Sequence, residues 1–310
     1  MEIFAKAGRE DIAIVYLAET AKGRLEFVES LQPPLTIEDK WVLIISTLYG
    51  CPVKCRICDA GLDYKGKLSF EEMSRQIEWM IFNRFKCNEA KTKKFKIQFS
   101  RMGEPSFNME VLELIRKLPS SYPSGNLVIS LSTIAPEGND LFFRELLEIK
   151  KEYYSDNFQL QFSIHSTDEE TRDWLIPVKK WNFEKISKYC ENYYNGDKKI
   201  TLNFALSNRF SIDARKLKSF FDPKIFLIKV TPLNPTIRVM QNGISSLDLL
   251  KGESIELIDE LRENGYEVIV SIGEFEENKI GSNCGQFIAS NMQGNKNSSY
   301  SYEVRKIKAE

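Results

Sequence analysis

WVLIISTLYGCPVKCRICDAG spans residues 41–61. Its opening, WVLIISTL (41–48), is a continuous apolar run of the kind a strand buried on both faces requires. A loop carrying three cysteines follows at once. Toward the C-terminus, apolar runs alternate with amphipathic stretches. Strands are expected at 94–100, 126–132, 158–165, 199–206 and 224–230, with a short one at 266–272. Helices are expected at 69–85, 108–118, 140–153, 182–194, 213–221 and 252–264, with Ser69 and Asn182 as N-caps and Gly265 as a stop.

Serial βα units imply a parallel sheet with right-handed crossovers. Six of them predict an α/β fold, a partial (β/α)6 barrel, whose chemistry gathers on the loops at the carboxyl ends of the strands. Toward the N-terminus, β-prone runs at 12–17 and 25–30 flank AKGR and predict a short β-hairpin; QPP at 32–34 then breaks the chain. The expected organisation is a hairpin extension over 1–38, a barrel over 39–289 and a polar, mobile tail over 290–310. No internal repeat is visible.

The chain has 310 residues, 42% of them hydrophobic and 28% charged, which suffices for one large core and excludes a disordered or collagen-like polymer. Lys+Arg 43 against Asp+Glu 44 gives a net charge of −1, without the excess of a strongly basic nucleic-acid binder, and no DNA partner is expected. The start shows no basic n-region ahead of a long apolar core, and no run of about 18 apolar residues exists. A cytoplasmic location is therefore expected, with the six cysteines kept as thiols or metal ligands.

Cys51, Cys55 and Cys58 are spaced C-x3-C-x2-C. A structural zinc wants four closed ligands, and the single histidine, His165, lies on another strand. Three thiolates suit a [4Fe–4S] cluster with one iron left open to a small molecule. Further polar loops follow successive strands: Arg101-Met102-Gly103-Glu104-Pro105, Ser132-Thr133, Ser163-Ile164-His165 and Pro232-Leu233-Asn234-Pro235. Each alone reads as a turn or a polar strand end. A glycine such as Gly103 lets backbone approach a ligand, and a carboxylate such as Glu104 accepts from an ammonium.

The cysteine loop resembles that of the radical S-adenosylmethionine (SAM) superfamily, with Ile57 where an aromatic residue is usual. The segments GCPVKCRICDAGL, RMGEPSFN, LSTIAPEG, FSIHSTDEETRDWLIPV, VTPLNP and NCGQ, in this order over residues 40–290, resemble the RlmN/Cfr family of RNA adenine methyltransferases. The resemblance implies a [4Fe–4S] cluster on Cys51, Cys55 and Cys58, and a SAM site lined by Gly103, Glu104, Ser132, Ser163, Ile164, His165 and Asn234. It implies Cys284 as a methyl carrier: one SAM methylates the thiol, and a radical from a second SAM activates the thioether methyl for addition to an sp2 carbon. It also implies an electron donor such as a flavodoxin or ferredoxin, and a carboxylate upstream of the cluster. Glu26 is the nearest match for that carboxylate, with Glu29 after a shift.

The match departs from the family at Ile44, where the resolving cysteine of the protein–RNA adduct would stand. Cys87 and Cys190 read as packing residues. Only about 40 residues precede the first barrel strand, so the family's N-terminal RNA-binding domain is not expected. KTKKFK (91–96) and RKIK (305–308) read as solvated charge or as phosphate contacts. The substrate is expected to be RNA or a smaller molecule. Two alternatives stay open: hydrogen abstraction on a small molecule or peptide without methyl transfer, and a non-enzymatic iron–sulfur RNA-binding or redox-sensing module.

Overall fold

The computed structural model describes residues 1–123, 125–273, 275–282 and 302–307. Strands β1 (Glu2–Arg9), β2 (Ala13–Glu19) and β3 (Arg24–Ser30) form an antiparallel meander. Then come β4 (Trp41–Ile45), the two-residue β5 (Leu48–Tyr49) and β6 (Gly66–Lys67), and α1 (Phe70–Phe85). β7 (Phe95–Phe99), α2 (Glu110–Ser121), β8 (Leu127–Thr133), α3 (Asp140–Ile149) and β9 (Phe158–Ser163) follow. The chain continues through α4 (Glu169–Leu175), α5 (Phe183–Tyr193), β10 (Ile200–Leu206), α6 (Ala214–Phe220) and β11 (Phe226–Pro232). The last described elements are α7 (Ile237–Gln241), α8 (Glu253–Glu263), β12 (Val268–Val270), α9 (Phe275–Ile280) and β13 (Arg305–Lys306).

One sheet runs β12-β11-β10-β9-β8-β7-β4-β3-β2-β1-β13. From β4 to β12 it is parallel, and each crossover carries a helix, as the serial βα pattern predicts. The hairpin of the sequence reading is a three-stranded meander and is not set apart. β3 pairs antiparallel with β4, Val28 opposite Ile44, so the meander prolongs the barrel sheet. β1 escaped the reading because Lys6, Gly8 and Arg9 interrupt its apolar pattern. Within the expected tail, Arg305–Lys306 pairs with β1 at Lys6 and Ala5. No helix among the described residues is long and apolar enough to cross a membrane.

Local chemistry sets the helix ends. Ser69 closes a capping box with Glu72 at the start of α1, and Asn182 accepts from Lys185 N at the start of α5. Gly265, at φ +97°, follows α8. α3 stops at Ile149 and passes into a π-turn over 150–154, short of the expected 153. There Lys150 is drawn inward to pair with Asp197.

The core lies between the sheet and its helices. Phe95, Ile97 and Phe99 of β7 face it, with Met73, Ile77 and Met80 of α1 against them, all fully buried. Each such side chain contributes about 1.5–3 kcal/mol. Strand alternation then leaves the opposite face polar. Lys96 and Gln98 on β7, Ser130 and Ser132 on β8, Gln159 and Gln161 on β9, Asn203 on β10 and Lys229 on β11 occupy its register positions. These polar side chains share the inner face with Val42, Ile44, Val128 and Leu227, which stand in the same register rows.

Candidate active site

The cysteine loop leaves the carboxyl end of β4, as an α/β barrel requires of a reacting loop. Its path is tightly specified. Gly50 has φ +76°, and a Cβ there would stand 2.0 Å from the Asp63 carbonyl oxygen. Cys51 N–H donates to Ala60 O (2.6 Å) and Cys58 N–H to Cys55 O (3.2 Å). The loop is also bolted to the segment after β11. Asp59 accepts from the backbone N–H groups of Ile237 (3.1 Å) and Arg238 (3.0 Å), Thr236 donates to Ile57 O (3.0 Å), and Asn242 to Arg56 O (3.1 Å).

Cys51 is buried and Cys55 and Cys58 are half-buried, all three free thiols. Burial pushes the Cys51 thiol up to about 11, against backbone hydrogen bonds from Val53, Glu104 and Lys54. Burial, then the charges of Cys58, Cys51 and Glu104, push the Cys55 thiol well above its ordinary range. The three sulfurs therefore act on one another and share their site with Glu104. Among the described residues no group of three His, Cys, Asp or Glu converges to hold a single metal ion. A cubane does not ask for that, because each thiolate takes a different iron. Thiols that repel one another when ionised in a buried loop, with backbone N–H groups aimed at one of them, fit a cationic iron–sulfur group.

Glu104 ends the neighbouring loop after β7. One carboxylate oxygen accepts from Thr133 Oγ1 (2.5 Å), Ser106 Oγ (2.8 Å) and Ser106 N–H (3.2 Å), and the other from Ile134 N–H (2.9 Å). Burial raises its pKa, and these donors oppose the rise. Gly103, at φ +100°, is held close by protein: a Cβ would stand 2.5 Å from Leu48 Cβ and Cγ. Asn108 donates to Thr47 O (3.0 Å) and Leu68 O (2.8 Å), joining this loop to the one after β4.

Ser132 and Ser163 sit at the carboxyl ends of β8 and β9, half-buried on the barrel's inner face. Ile164 is fully buried. His165 has φ +61°, and its Nδ1 accepts from Ala205 N–H (3.1 Å), which leaves the proton to Nε2. Burial, with a smaller push from the Arg172 charge, lowers its pKa to about 4, so the ring is neutral at pH 7. Asn234 is half-buried where the loop after β11 turns. Cys284 lies outside the described residues.

Glu26 is in the middle of β3 and fully buried. Its carboxylate pairs with Arg101 at 2.6 Å. Arg101, the first residue of the RMGEP motif, also donates to the carbonyls of Gly281 (2.7 Å) and Ser282 (2.9 Å). Glu26 and Arg101 thus form a link from β3 to the segment before Cys284. Glu29 is likewise engaged, by Tyr16, Trp41 and Arg84. Ile44 packs in an apolar cluster with Val28 and Ile280. Arg101, Thr133, Asp59 and Thr236 received no role from the sequence reading. Arg101, Thr133 and Asp59 stood inside quoted motifs at or after strand ends, and position was the available signal.

No protein-family model matches the chain. Curated relatives do. It is 28% identical over 278 residues to a Thermotoga maritima protein named "Probable dual-specificity RNA methyltransferase RlmN", covering 85% of this chain and 75% of that one. A Buchnera aphidicola "Dual-specificity RNA methyltransferase RlmN" is 25% identical over 282 residues, covering 85% and 73%. Over most of its length the chain is similar to proteins named RlmN. It spans 63% of a Thermotoga petrophila relative of the same name, with 28% identity over 229 residues. Among solved structures, a radical SAM methyltransferase from Sphaerobacter thermophilus superposes with a TM-score of 0.72 at 19% identity, covering 93% of this chain and 82% of that one. That likeness establishes the α/β partial-barrel fold.

Proposed function

We propose that this protein is a radical SAM methyltransferase that binds a [4Fe–4S] cluster through Cys51, Cys55 and Cys58 and carries a methyl group on Cys284. One observation supports the reading above others: a half-buried thiol loop at the end of a barrel strand, electrostatically coupled to Glu104 and bolted on both sides. Cluster and SAM together would supply a carbon-centred radical. The chain's own residues supply the rest. Glu104, held by Thr133, Ser106 and Ile134, is a preoriented acceptor for an ammonium. Neutral His165, with Nε2–H free of the Ala205 contact, offers a donor that adds no charge. The loop after β4 is hydrogen-bonded to the segments after β7, β9 and β11, which fixes the cysteines in place. The substrate is an sp2 carbon, in RNA as the relatives' names state, or in a smaller molecule.

A second reading draws on Ile44. Its position beside Val28 and Ile280 holds no thiol to resolve an adduct, which favours hydrogen abstraction without methyl transfer. One experiment separates the readings. The protein is reconstituted without oxygen, with iron, sulfide, reductant and methyl-labelled SAM. Release of 5′-deoxyadenosine with label on the Cys284 peptide supports the first reading. Release without label supports the second. No SAM cleavage, or zinc at the loop, removes both and leaves a passive module.

A further inference from the structure

We propose that the amino-terminal mouth of the barrel, framed by Lys40, Lys94, Lys96, Lys198 and Lys229, binds the phosphate group of a small phosphorylated molecule. The site lies at the opposite end of the strands from the cysteine loop and does not depend on the reaction assigned there. Lys40, Lys94 and Lys198 stand just ahead of β4, β7 and β10, at the amino ends of these strands. Lys96 lies one residue into β7, on the polar inner face. Lys229 reaches the same face from β11, in register with Asn203.

β4 and β11 are separated by four strands in the sheet, yet the Lys40 and Lys229 charges act on each other. The curl of the sheet brings them together. Lys96 is at the centre: burial and then the charges of Lys229, Lys40, Lys94 and Lys198 lower its pKa to about 7. Its Nζ donates to a neutral group, Gln159 Oε1, at 2.8 Å. The nearby carboxylates serve other lysines. Asp39 pairs with Lys93, Glu267 with Lys199, and Asp197 with Lys150, while Asp156 and Asp197 act on Lys198 at the rim.

Converging ammonium groups on a half-buried surface repel one another and lose hydration. A phosphate dianion reverses both effects, and it draws a proton back onto Lys96. The inner face beyond Lys96 carries Gln98, Ser130, Gln161 and Asn203, neutral donors and acceptors suited to a polar small molecule. From Lys96 to Arg101 the chain rises about 15–17 Å, so the mouth and the thiol loop are separate sites. An RNA duplex does not enter a barrel interior filled by side chains, which decides for a small ligand.

The test is calorimetric titration of the full chain, under anaerobic conditions, with inorganic pyrophosphate as the probe. Saturable binding is expected, with net proton uptake near about pH 8 read from the buffer dependence of the heat. Lys96→Met and Lys229→Met each weaken binding by about tenfold or more, and Lys96→Met abolishes the proton uptake. Lys93→Met, on an exposed lysine already paired with Asp39, leaves the affinity unchanged. Should Lys96→Met fail to fold, Lys40→Met serves in its place. No saturable binding, or equal affinity in all variants, overturns the proposal. Competition identifies the ligand class: displacement of pyrophosphate by adenosine diphosphate supports it, and displacement by an RNA oligonucleotide alone overturns it.

Discussion

Replacing Arg101 with Met is the most informative single change. Arg101 and Glu26 are ion-paired at 2.6 Å with side chains 2% and 0% exposed. At an effective dielectric of about 20, unit charges at that separation attract by on the order of 6 kcal/mol. Desolvation of the two ions offsets most of this, so the intact pair is close to neutral in net stability. One-sided removal is different. Arg101→Met leaves the Glu26 carboxylate buried without its counter-ion and deprives the Gly281 and Ser282 carbonyls of their donor. The expected loss is about 3–5 kcal/mol, measured by urea denaturation. Glu26→Met combined with Arg101→Met removes both charges and should recover more than half of that loss. Protease cleavage between 275 and 310 should accelerate in the single variant, because Arg101 is one of the ties that hold this segment to the barrel, beside the Ser30–Glu277 hydrogen bond. If Arg101→Met unfolds within about 1 kcal/mol of the parent, or the double variant is worse than the single, the buried-pair reasoning is wrong.

Three further outcomes follow from the site. Gly50→Ala forces a Cβ to 2.0 Å from Asp63 O, so anaerobic reconstitution should yield an iron content below half that of the parent in a chain that retains its circular dichroism. Thr133→Val removes the 2.5 Å donor to buried Glu104 and should cost about 1–3 kcal/mol in stability, with weaker SAM binding by equilibrium dialysis. His165 should show no imidazole titration by NMR above about pH 5, its pKa being held near 4 against about 6.5 unfolded. Between those values the unfolded chain binds the extra proton, so stability falls as pH drops from about 6.5 to 4, by up to about 3 kcal/mol, an effect that His165→Gln abolishes.

Much of the barrel was legible because its signals are local. Ser69 with Glu72, Asn182 with Lys185, and Gly265 each mark a helix end through hydrogen bonds within a few residues. The parallel strands announced themselves by apolar runs, since one face packs on helices. The short helices α4 and α7 were not visible, being too brief for a periodic stripe and started by the caps Asp168 and Thr236. In the site, the thiol spacing is a linear signal and reads directly. What the reading missed is non-local. Arg101 meets Glu26 and Ser282 across 75 and 181 residues of chain, and Asp59 meets Arg238 across 179. No window of sequence holds both partners. The joining of β3 to β4 is likewise a pairing between segments that no single stretch of sequence announces.

The pairing of β13 with β1 has a consequence for the stretch that holds Cys284. Arg101 grips the chain at Gly281 and Ser282, and the sheet edge grips it again at Arg305–Lys306. Cys284, the proposed carrier, therefore lies in sequence between two points held by the sheet, and a chain fixed at two points has fewer conformations open to it than one fixed at a single point. A chain ended after residue 302 would keep the anchor at Gly281 and Ser282 and lose the one at Arg305–Lys306.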